Sequence, residues 1–378
     1  MKYKRLADVC TINMGQSPES TSYNIAGQGI PFFQGNADFG ERYPVTRYWC
    51  DAPTKVAHAN DILISVRAPI GAINYAAETC CIGRGLAAIT PNQSIVSLEY
   101  IYWLLKGKNA ELNSQGTGST FKAIGRKVLE EILVPDVSIE EQAVFAANLE
   151  AVNLIIQQRK GQLIALDDLI KARFVEMFGD PVANEKGWDT KPLLSMGVCK
   201  NGMNFHYDDS GVELNCLGVG DFKDYSIIAD TSVLPTVSLN EMPSSEYLLK
   251  DDDIVFVRSN GNKKMVGRSV AVYPGTVPTT FSGFCIRYRR NDNSVITPYL
   301  LRVLKADSIR QKMYGRGANI QNLNQQTLSS LDIPVPPKAL QNQFSAFIAR
   351  IDKSKFAIQQ ALNETPKLFD SLMQQYFC

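Results

Sequence analysis

The second half of this 378-residue chain repeats its first half at a fixed offset of 199 residues. The register holds without a gap from residue 116 to residue 178, so that Gln142 returns as Gln341 and Phe145 returns as Phe344. A long internal period indicates one architectural unit used twice. The repeat therefore predicts a chain that engages two related targets at a set distance.

The length and composition are those of a folded chain with two cores of ordinary domain size. Hydrophobic residues make up 45% and charged residues 20%, which argues against disorder. No apolar run approaches the roughly 18 residues of a membrane span, and the N-terminus lacks an apolar stretch of signal-peptide length. The eight cysteines show no C-x-x-C spacing. We therefore expect neither structural disulfides nor zinc, and a reducing cytoplasm as the location.

A formal net charge of +1 means that binding to nucleic acid would need locally concentrated charge. Residues 258–316 supply it, with twelve bases against Asp292 and Asp307, an excess of ten in 59 residues. The matching part of the first half, residues 62–127, holds seven bases against three acids. An ordinary solvated face explains either run alone. Recurrence in both halves favours a polyanionic ligand.

A long helix closes each half. The run from Ser138 to Glu141 is a capping box, which predicts a helix start near Ser138, and Gly179 with Pro181 predicts its end. Between them, apolar residues recur at alternating steps of four and three, the pattern of a heptad seam. The apolar seam positions are Phe145, Leu149, Val152, Ile156, Leu163, Leu166, Ile170 and Met177, and Arg159 and Arg173 occupy the two missing places.

The second helix carries the same seam in the same phase. Its ten positions are Phe344, Ile348, Ile351, Lys355, Ile358, Leu362, Thr365, Phe369, Leu372 and Tyr376. A 40-residue helix with one apolar stripe needs a partner, and the other helix of the same chain is the simplest one. Pro366 should kink the second helix or end its first section.

The remaining parts predict mixed strands and helices. Strands are expected at Asp61–Arg67, Asp253–Arg258, Leu86–Ile89 and Phe284–Tyr288, and short helices at Tyr100–Leu105 and Tyr299–Leu304. The fold class is therefore α+β, with two mixed α/β domains separated by a pair of long antiparallel coiled-coil helices in a pseudo-twofold repeat. The expected boundaries are 1–137 and 181–337 for the two domains, with 138–180 and 338–378 for the central and C-terminal spacer helices.

Catalytic signatures are missing from the sequence. There are only two histidines, His58 and His206, in unlike contexts, which excludes a His-based catalytic centre or multi-His metal site. No phosphate-binding P-loop, adenine-methyltransferase motif or nuclease-type acidic pair occurs, and Gly218-Val219-Gly220 lacks the rest of a dinucleotide fingerprint. The pattern predicts a recogniser and not an enzyme.

Several short motifs, in a fixed order, resemble the specificity subunit of type I DNA restriction-modification systems over essentially the full length. The motifs are Gly15-Gln16-Ser17-Pro18, Asn60 to Ser65, Gly116 to Thr120, Ile132 to Pro135 with Glu141-Gln142, and Leu166 to Pro181, partly duplicated as Ile333 to Pro337 and Gln341 to Gln343. The chain departs from the pattern at Lys200-Asn201-Gly202-Met203, which has no clean Gly-Gln-Ser-Pro motif, and this leaves the turn there undetermined.

The resemblance implies two target recognition domains, each reading one half of a bipartite sequence in double-stranded DNA, held apart by the two helices. It implies that two modification subunits dock on this scaffold to methylate adenines, and that ATP-driven restriction subunits join them. The chain itself would hold no cofactor, whereas the complex would use S-adenosylmethionine, ATP and Mg. We expect no membrane to take part in this assembly.

Exposed turns in each half offer the side chains that read DNA, since Arg reads guanine, Asn or Gln reads adenine, and Lys or Arg holds phosphate. The candidates are Gln34, Asn36, Arg67, Arg84 and Lys122 in the first half, and Arg258, Asn260, Lys263, Lys264, Arg287, Arg316, Asn319 and Gln321 in the second. For each residue alone, a solvated surface role remains the alternative, and Gly116-x-Gly118 and Gly315-x-Gly317 can be plain backbone turns.

Two other classes of function stay open. One is an enzyme, such as a fused methyltransferase-nuclease with a similar recognition region, although the missing motifs argue against it. The other is a non-catalytic helical scaffold that joins protein partners without reading DNA.

Overall fold

The structure is a computed structural model, and it describes residues 2–118, 122–205, 210–222, 226–313 and 322–377. The chain divides into two compact units. Unit 1 comprises Met1–Gly161 with Ile358–Cys378, and unit 2 comprises Gln162–Ala357. Each unit therefore holds one globular domain together with part of each long helix.

Unit 1 is built from eleven short strands and five helices in its described residues. The strands are β1 (Tyr3–Arg5), β2 (Cys10–Met14), β3 (Tyr23–Asn24), β4 (Ile30–Phe33), β5 (Tyr48–Cys50), β6 (Val56–Ala57), β7 (Ile62–Ser65), β8 (Ile73–Tyr75), β9 (Cys80–Ile82), β10 (Leu86–Pro91) and β11 (Leu133–Pro135). The helices are α1 (Leu6–Val9), α2 (Leu98–Gly107), α3 (Asn109–Ser114), α4 (Arg126–Glu130) and the long α5 (Ile139–Phe178), which continues into unit 2.

Two sheets form the body of unit 1. One has the order β2-β10-β7-β8 and the other β3-β5-β4-β9-β6, with β4 and β9 parallel. Because side chains alternate along a strand, Ile62 and Ile64 of β7 enter the core beside α2, while Leu63 enters a second core between the sheets. Burial of both faces explains why this run is apolar without interruption.

Unit 2 contains the next ten strands and four helices among its described residues. The strands are β12 (Thr190–Pro192), β13 (Gly197–Asn201), β14 (Val212–Leu217), β15 (Ile227–Ile228), β16 (Thr236–Leu239), β17 (Asp253–Val257), β18 (Ser269–Val272), β19 (Thr279–Phe281), β20 (Cys285–Arg290) and β21 (Asp332–Pro334). The helices are α6 (Thr297–Lys305), α7 (Asp307–Met313), α8 (Gln325–Ser329) and the long α9 (Lys338–Phe377), which continues into unit 1.

The two units share one scaffold. Unit 2 has sheets of order β13-β20-β17-β18-β15 and β16-β14-β19, with β14 and β19 parallel. The strands β13-β20-β17-β18 match β2-β10-β7-β8 of unit 1, and β16-β14-β19 match β5-β4-β9. The first strand pairs with the last in both units, as β1 with β11 and β12 with β21. Tyr100 donates its hydroxyl hydrogen to the Pro135 carbonyl at 3.2 Å, and Tyr299 does the same to Pro334 at 3.0 Å. The predicted strands, short helices and internal repeat are confirmed.

The capping box at Ser138 is confirmed. The Glu141 amide donates to Ser138 Oγ at 3.2 Å, and the Ser138 amide donates to Glu141 Oε2 at 3.0 Å. Helix α5 ends at Phe178, where Gly179 adopts a φ of 76° and its amide donates to the Val175 carbonyl. A positive φ suits glycine, which explains why the helix stops there.

The heptad seam is also confirmed, because each of its positions in both helices is buried or half-buried. In unit 1 the start of α5 lies against the end of α9. The rings of Phe145 and Tyr376 stack at 4.0 Å, and Asn148 Nδ2 donates to the Tyr376 hydroxyl at 2.9 Å. Further along, Arg159 contacts Ala361, so the two segments run antiparallel.

Arg159 is accommodated in the apolar seam by polar groups of α9. Its Nη1 donates to the Ala361 carbonyl at 2.9 Å and to Thr365 Oγ1. Thr365 is followed in α9 by Pro366, which lacks an amide hydrogen. Helix α9 nevertheless runs without interruption from Lys338 to Phe377, so of the two predicted effects of Pro366 the helix shows no end there, and a kink stays a prediction. The seam packing holds the segment helical in spite of the missing hydrogen bond.

In unit 2 the end of α5 and the start of α9 also run antiparallel. Phe344 packs its ring against Phe174 and Phe178 at centroid distances of 5.5 and 5.4 Å. Lys355, the charged residue of this seam, donates to Asp167 Oδ1 at 2.7 Å. The cation is thus neutralised where the heptad pattern calls for an apolar side chain.

Candidate nucleic-acid interface

The exposed end of the sheets in unit 1 gathers segments that are far apart in sequence. The Gly83 amide donates to the Phe33 carbonyl at 2.8 Å, which sets Gln34 beside the turn that carries Arg84. The Val66 amide donates to the Gly85 carbonyl at 2.9 Å, which joins the same turn to Arg67. Arg67 in turn forms a bridge with Ala123, next to Lys122. We call Gln34, Arg67, Arg84 and Lys122 the first tip.

Glycine makes this close approach possible. A Cβ on Gly85 would lie 2.3 Å from the Gln34 carbonyl oxygen, and one on Gly15 would lie 2.2 Å from the Gly83 carbonyl oxygen. Such distances are far below a normal contact. The Gly-Gln-Ser-Pro motif therefore packs directly under the turn, where Ser17 Oγ accepts from the Arg84 amide at 3.3 Å.

All four side chains of the first tip are exposed. Within the described part of the chain, Arg67, Arg84 and Lys122 form no ion pair, so their charges are free for a ligand. Asn36 is half-buried in a short 3-10 turn, which Asp38 fixes by accepting from the Gln34 amide at 2.7 Å. The structure thus brings together all five candidates of the first half, while their roles stay predictions.

Arg47 was missed by the sequence analysis. It is exposed, and its Nη2 donates to the Ala37 carbonyl at 2.5 Å, within the same 3-10 turn as Asn36. No motif surrounds it, since its position depends on how strand β5 folds back along β4. It adds another cation beside the first tip.

The same backbone arrangement recurs in unit 2. The Arg258 amide donates to the Phe284 carbonyl at 2.7 Å, as Val66 does to Gly85. The Ser282 amide donates to the Leu217 carbonyl, as the Gly83 amide does to the Phe33 carbonyl. We call Arg258 and the turn Ser282–Phe284 the second tip.

This register gives an unexpected correspondence. Arg258 occupies the place of Val66 and not that of Arg67, although both predicted strands end in arginine. Arg258 is accordingly half-buried, and its Nη1 donates to the Gly283 carbonyl at 3.3 Å. By the same register, Gly283 stands where unit 1 has Arg84. Equivalent scaffold positions therefore carry different side chains.

The turn left undetermined at Gly202 is the same as that at Gly15. The Gly202 amide donates to the Cys285 carbonyl, and the Met203 amide donates to the Phe281 carbonyl. In unit 1 the Gly15 amide donates to the Leu86 carbonyl and the Gln16 amide to the Ile82 carbonyl, in the same pattern. The four backbone bonds measure between 2.9 and 3.1 Å. These bonds involve only main-chain atoms, so the side chains of the motif were free to change.

The loop after Arg258 carries three further candidates. Asn260 is half-buried, and its Oδ1 accepts from the Asn262 amide at 2.8 Å, which commits that oxygen to a turn. Lys263 and Lys264 are exposed, and the Lys264 carbonyl accepts from Arg310 Nη2 at 3.1 Å. The loop is therefore anchored while its lysine side chains face outward.

The structure corrects the prediction for Arg287. It was expected on an exposed turn, but it lies within β20 and is only 4% exposed. Its neighbours Ile286 and Tyr288 enter the core beside α6, so alternation turns Arg287 to the opposite face, between the two sheets. Desolvation lowers its pKa, and its Nε has no hydrogen-bond partner among the described residues. It cannot contact a ligand at the surface in this conformation.

The basic excess of residues 258–316 is also smaller at the surface than in the sequence. Arg289 forms a bidentate pair with Asp253, at 2.8 and 2.7 Å, and Arg290 donates to the Val295 carbonyl. Even so, the sequence has no acidic residue from 254 to 291. The remaining candidates Arg316, Asn319 and Gln321 lie outside the described residues, as do Gly315 and Gly317.

No group of three or more His, Cys, Asp or Glu side chains is placed to hold a metal ion within the described ranges. The seven cysteines that lie in the described part of the chain are free, and burial raises the pKa of Cys80 and Cys199 to about 12. Of the helices that the structure describes, none has both the length and the apolar character needed to cross a membrane.

Known proteins resemble this chain in sequence. The model of the type I restriction modification DNA specificity domain matches residues 1–166 and 223–365. The putative type I restriction enzyme MjaX specificity subunit of Methanocaldococcus jannaschii is 44% identical over 149 residues, 39% of this chain and 35% of that protein. The type I restriction enzyme MjaIX specificity subunit of the same organism is 22% identical over 407 residues, covering 98% of this chain and 91% of that one.

A solved structure shares the fold. The S subunit of a type I restriction-modification system from M. genitalium matches 100% of this chain with 96% of its own, at a TM-score of 0.57 and 15% identity. The family model covers most of both halves of the chain. The chain belongs to the type I restriction modification DNA specificity domain family.

Proposed function

We propose that this chain is the DNA-recognition subunit of a type I restriction-modification complex, in which each unit reads one half of a bipartite duplex sequence. One observation carries the proposal: the two tips rest on the same backbone hydrogen bonds but present different side chains. The position of Arg84 in unit 1 is equivalent to that of Gly283 in unit 2, and the position of Gln34 is equivalent to that of Gly218. A common scaffold with different exposed groups suits two different half-sites.

The exposed groups are of the kind that read and hold DNA. Arginine donates two hydrogen bonds to guanine, glutamine pairs with adenine, and lysine neutralises phosphate. The first tip offers all three types, and its cations are not paired with acids in the described residues. The overall charge of +1 limits the electrostatic attraction of the isolated chain for DNA. We therefore expect weak binding alone and tighter binding with partners.

The two long helices are proposed as the docking surface for two modification subunits, which would methylate adenines, and restriction subunits would join that complex. Exposed apolar residues on α5 support a protein-binding role, among them Val144 at 57% and Ile164 at 63% exposure. Such residues lie outside the seam between the helices. S-adenosylmethionine, ATP and Mg would be bound by those subunits, and this chain would remain non-catalytic in the cytoplasm.

Selection from a random duplex library tests the proposal. The full chain, alone and with modification subunits, is incubated with the library, and bound duplexes are sequenced. We expect two short conserved blocks at a fixed gap, and stronger retention with the partners in a gel-shift titration. Tight binding by the isolated chain would contradict the expected need for partners.

Two outcomes would favour the other functions. Absence of any enriched sequence, with the partners present, would support a helical scaffold that joins proteins without reading DNA. Binding of S-adenosylmethionine by the purified chain, measured by calorimetry, would support a fused enzyme. A map of methylated adenines in the host genome would show the target sequence directly.

A further inference from the structure

The second tip holds an aromatic side chain out into solvent. Phe284 is 61% exposed, yet its backbone is anchored on both sides. Its amide donates to Ser282 Oγ at 3.3 Å, and its carbonyl accepts from the amides of Arg258 and Ser259 at 2.7 and 3.3 Å. The neighbouring Gly283 amide donates to the Met203 carbonyl at 2.5 Å. The ring therefore projects from a fixed main chain and not from a loose loop.

The scaffold does not need this ring. The equivalent position in unit 1 is Gly85, whose carbonyl accepts the same hydrogen bond from Val66. Phe284 also lies outside the buried clusters of unit 2, although its neighbour Cys285 belongs to one of them. The ring of Phe284 can therefore meet a ligand without loss of packing in the domain.

A basic segment adjoins the turn that carries Phe284. Arg258 contacts the same turn through its main chain and its guanidinium, and the loop that follows carries the exposed Lys263 and Lys264. No acidic residue occurs between 254 and 291. An apolar ring beside a basic segment complements a duplex, because phosphates can meet the cations while the apolar group meets a base.

We infer that Phe284 is a specificity-determining residue that packs against the C5-methyl group of a thymine in the major groove of the half-site read by unit 2. This inference rests on the proposed function. The thymine methyl is the apolar group that base pairs present in that groove. The turn between β19 and β20 carries Phe284 at its exposed end, where the ring can meet such a group. Gly85 at the matching place in unit 1 predicts no such contact in the other half-site.

Replacement of thymine by deoxyuridine tests the contact, since it removes only the methyl group. The full chain with its modification subunits is titrated with duplexes in which each thymine of the selected half-site is replaced in turn. At one position we expect the wild type to lose affinity roughly fourfold, which is the effect expected when one buried methyl-sized group is removed. Phe284→Ala should bind the unmodified duplex more weakly and show no further loss at that position.

Two variants serve as controls. Phe284→Leu keeps an apolar group and should retain part of the sensitivity to deoxyuridine. Val233→Ala removes another exposed apolar residue of unit 2, at 73% exposure, and should behave as wild type. Equal thermal unfolding temperatures would show that all variants are folded, as expected for exposed positions.

The outcomes separate this inference from the proposed function. If the wild type selects a half-site that has no thymine, or in which no thymine couples to Phe284, the inference is overturned while DNA reading stands. If the complex selects no sequence at all, the proposed function fails and the inference fails with it.

Discussion

Gln142 and Gln341, which are 199 residues apart, make the same three hydrogen bonds in their respective units. The Gln142 side chain accepts from the Ser97 amide at 2.7 Å and donates to the carbonyls of Ile95 and Val137, both at 3.1 Å. Gln341 accepts from the Ile296 amide at 2.9 Å and donates to the carbonyls of Ser294 and Pro336, at 2.9 and 2.8 Å. Each glutamine thus joins the start of a long helix to its globular domain.

Gln142→Ala and Gln341→Ala should each destabilise their unit by about 2–4 kcal/mol. The side chains are 1% and 0% exposed, so loss of the amide leaves buried main-chain groups without partners. Urea unfolding followed by circular dichroism measures the effect. Gln343→Ala, at an exposed position of α9, is the matched control and should unfold as wild type. Equal midpoints for the buried and exposed variants would refute this role.

Gly15→Ala and Gly202→Ala should be destabilising by similar amounts, about 1–3 kcal/mol each. A Cβ at these positions would lie 2.2 Å from the Gly83 carbonyl oxygen and 2.1 Å from that of Ser282, and neither main chain can move freely. Thermal unfolding is the measurement. Gly161→Ala, within α5 where a Cβ meets no atom within 4 Å, should instead be neutral or slightly stabilising. A tolerated Gly202→Ala would contradict the equivalence of the two turns.

Stability should rise between about pH 8 and pH 10 because of Lys305. Burial lowers the pKa of this lysine to about 8 from 10.5, even though its Nζ donates to Ser226 Oγ at 2.7 Å. Above pH 8 the folded state has released a proton that the unfolded state still binds, so folding is favoured as pH increases through this range. Below pH 8 the buried ammonium group costs on the order of 1–3 kcal/mol.

Lys305→Met should therefore increase the free energy of unfolding at pH 7 and flatten its rise toward pH 10. Urea titrations at several pH values measure this difference. Lys353→Met, at an exposed position of α9, controls for the loss of a charge and should keep the pH dependence of the wild type. An unchanged slope in Lys305→Met would assign the rise to other groups.

Arg258→Ala should weaken binding to the selected duplex by about 1–3 kcal/mol if Arg258 reads a base, with little loss on random DNA. Arg84→Ala tests the first tip in the same way. Because the residues belong to different units, each variant should relax sequence preference in a different half-site. Library selection with each variant reveals which block is affected. Equal losses on selected and random DNA would reassign the residue to a phosphate contact.

Removal of one heptad from both long helices should change the preferred gap between half-sites. Seven residues shorten a helix by roughly 10 Å, which corresponds to about 3 base pairs of duplex. Deletion of a whole heptad keeps the seam in phase, so packing within each unit is retained. Library selection or a methylation map gives the gap. An unchanged gap would refute the idea that the helices set the spacing.

Much of the fold follows from local sequence patterns. The capping box at Ser138, the heptad seams and the helices beginning near Tyr100 and Tyr299 depend on residues close together in the chain, and all are present. Local signals are reliable because the interactions that they specify form within a few residues. The candidate residues of the first tip were also found in this way, as exposed polar residues next to strands or glycines.

Other features required the tertiary structure. The alternation of β20 was visible in the sequence, but only the position of the second sheet shows that Arg287 is buried and Phe284 exposed. Likewise the register of β17 against β20 sets Arg258 at the place of Val66, one residue away from the match suggested by the sequence.

The repeat, the helices and their seam were thus determined by the sequence, whereas the equivalence of Gly15 with Gly202 and the composition of the two tips were decided by the tertiary structure. The turn at Gly202 makes its hydrogen bonds through main-chain atoms, which leave no side-chain signature. The tips are assembled from segments distant in the chain, and contacts of that kind depend on strand pairing across the whole domain and not on neighbouring residues.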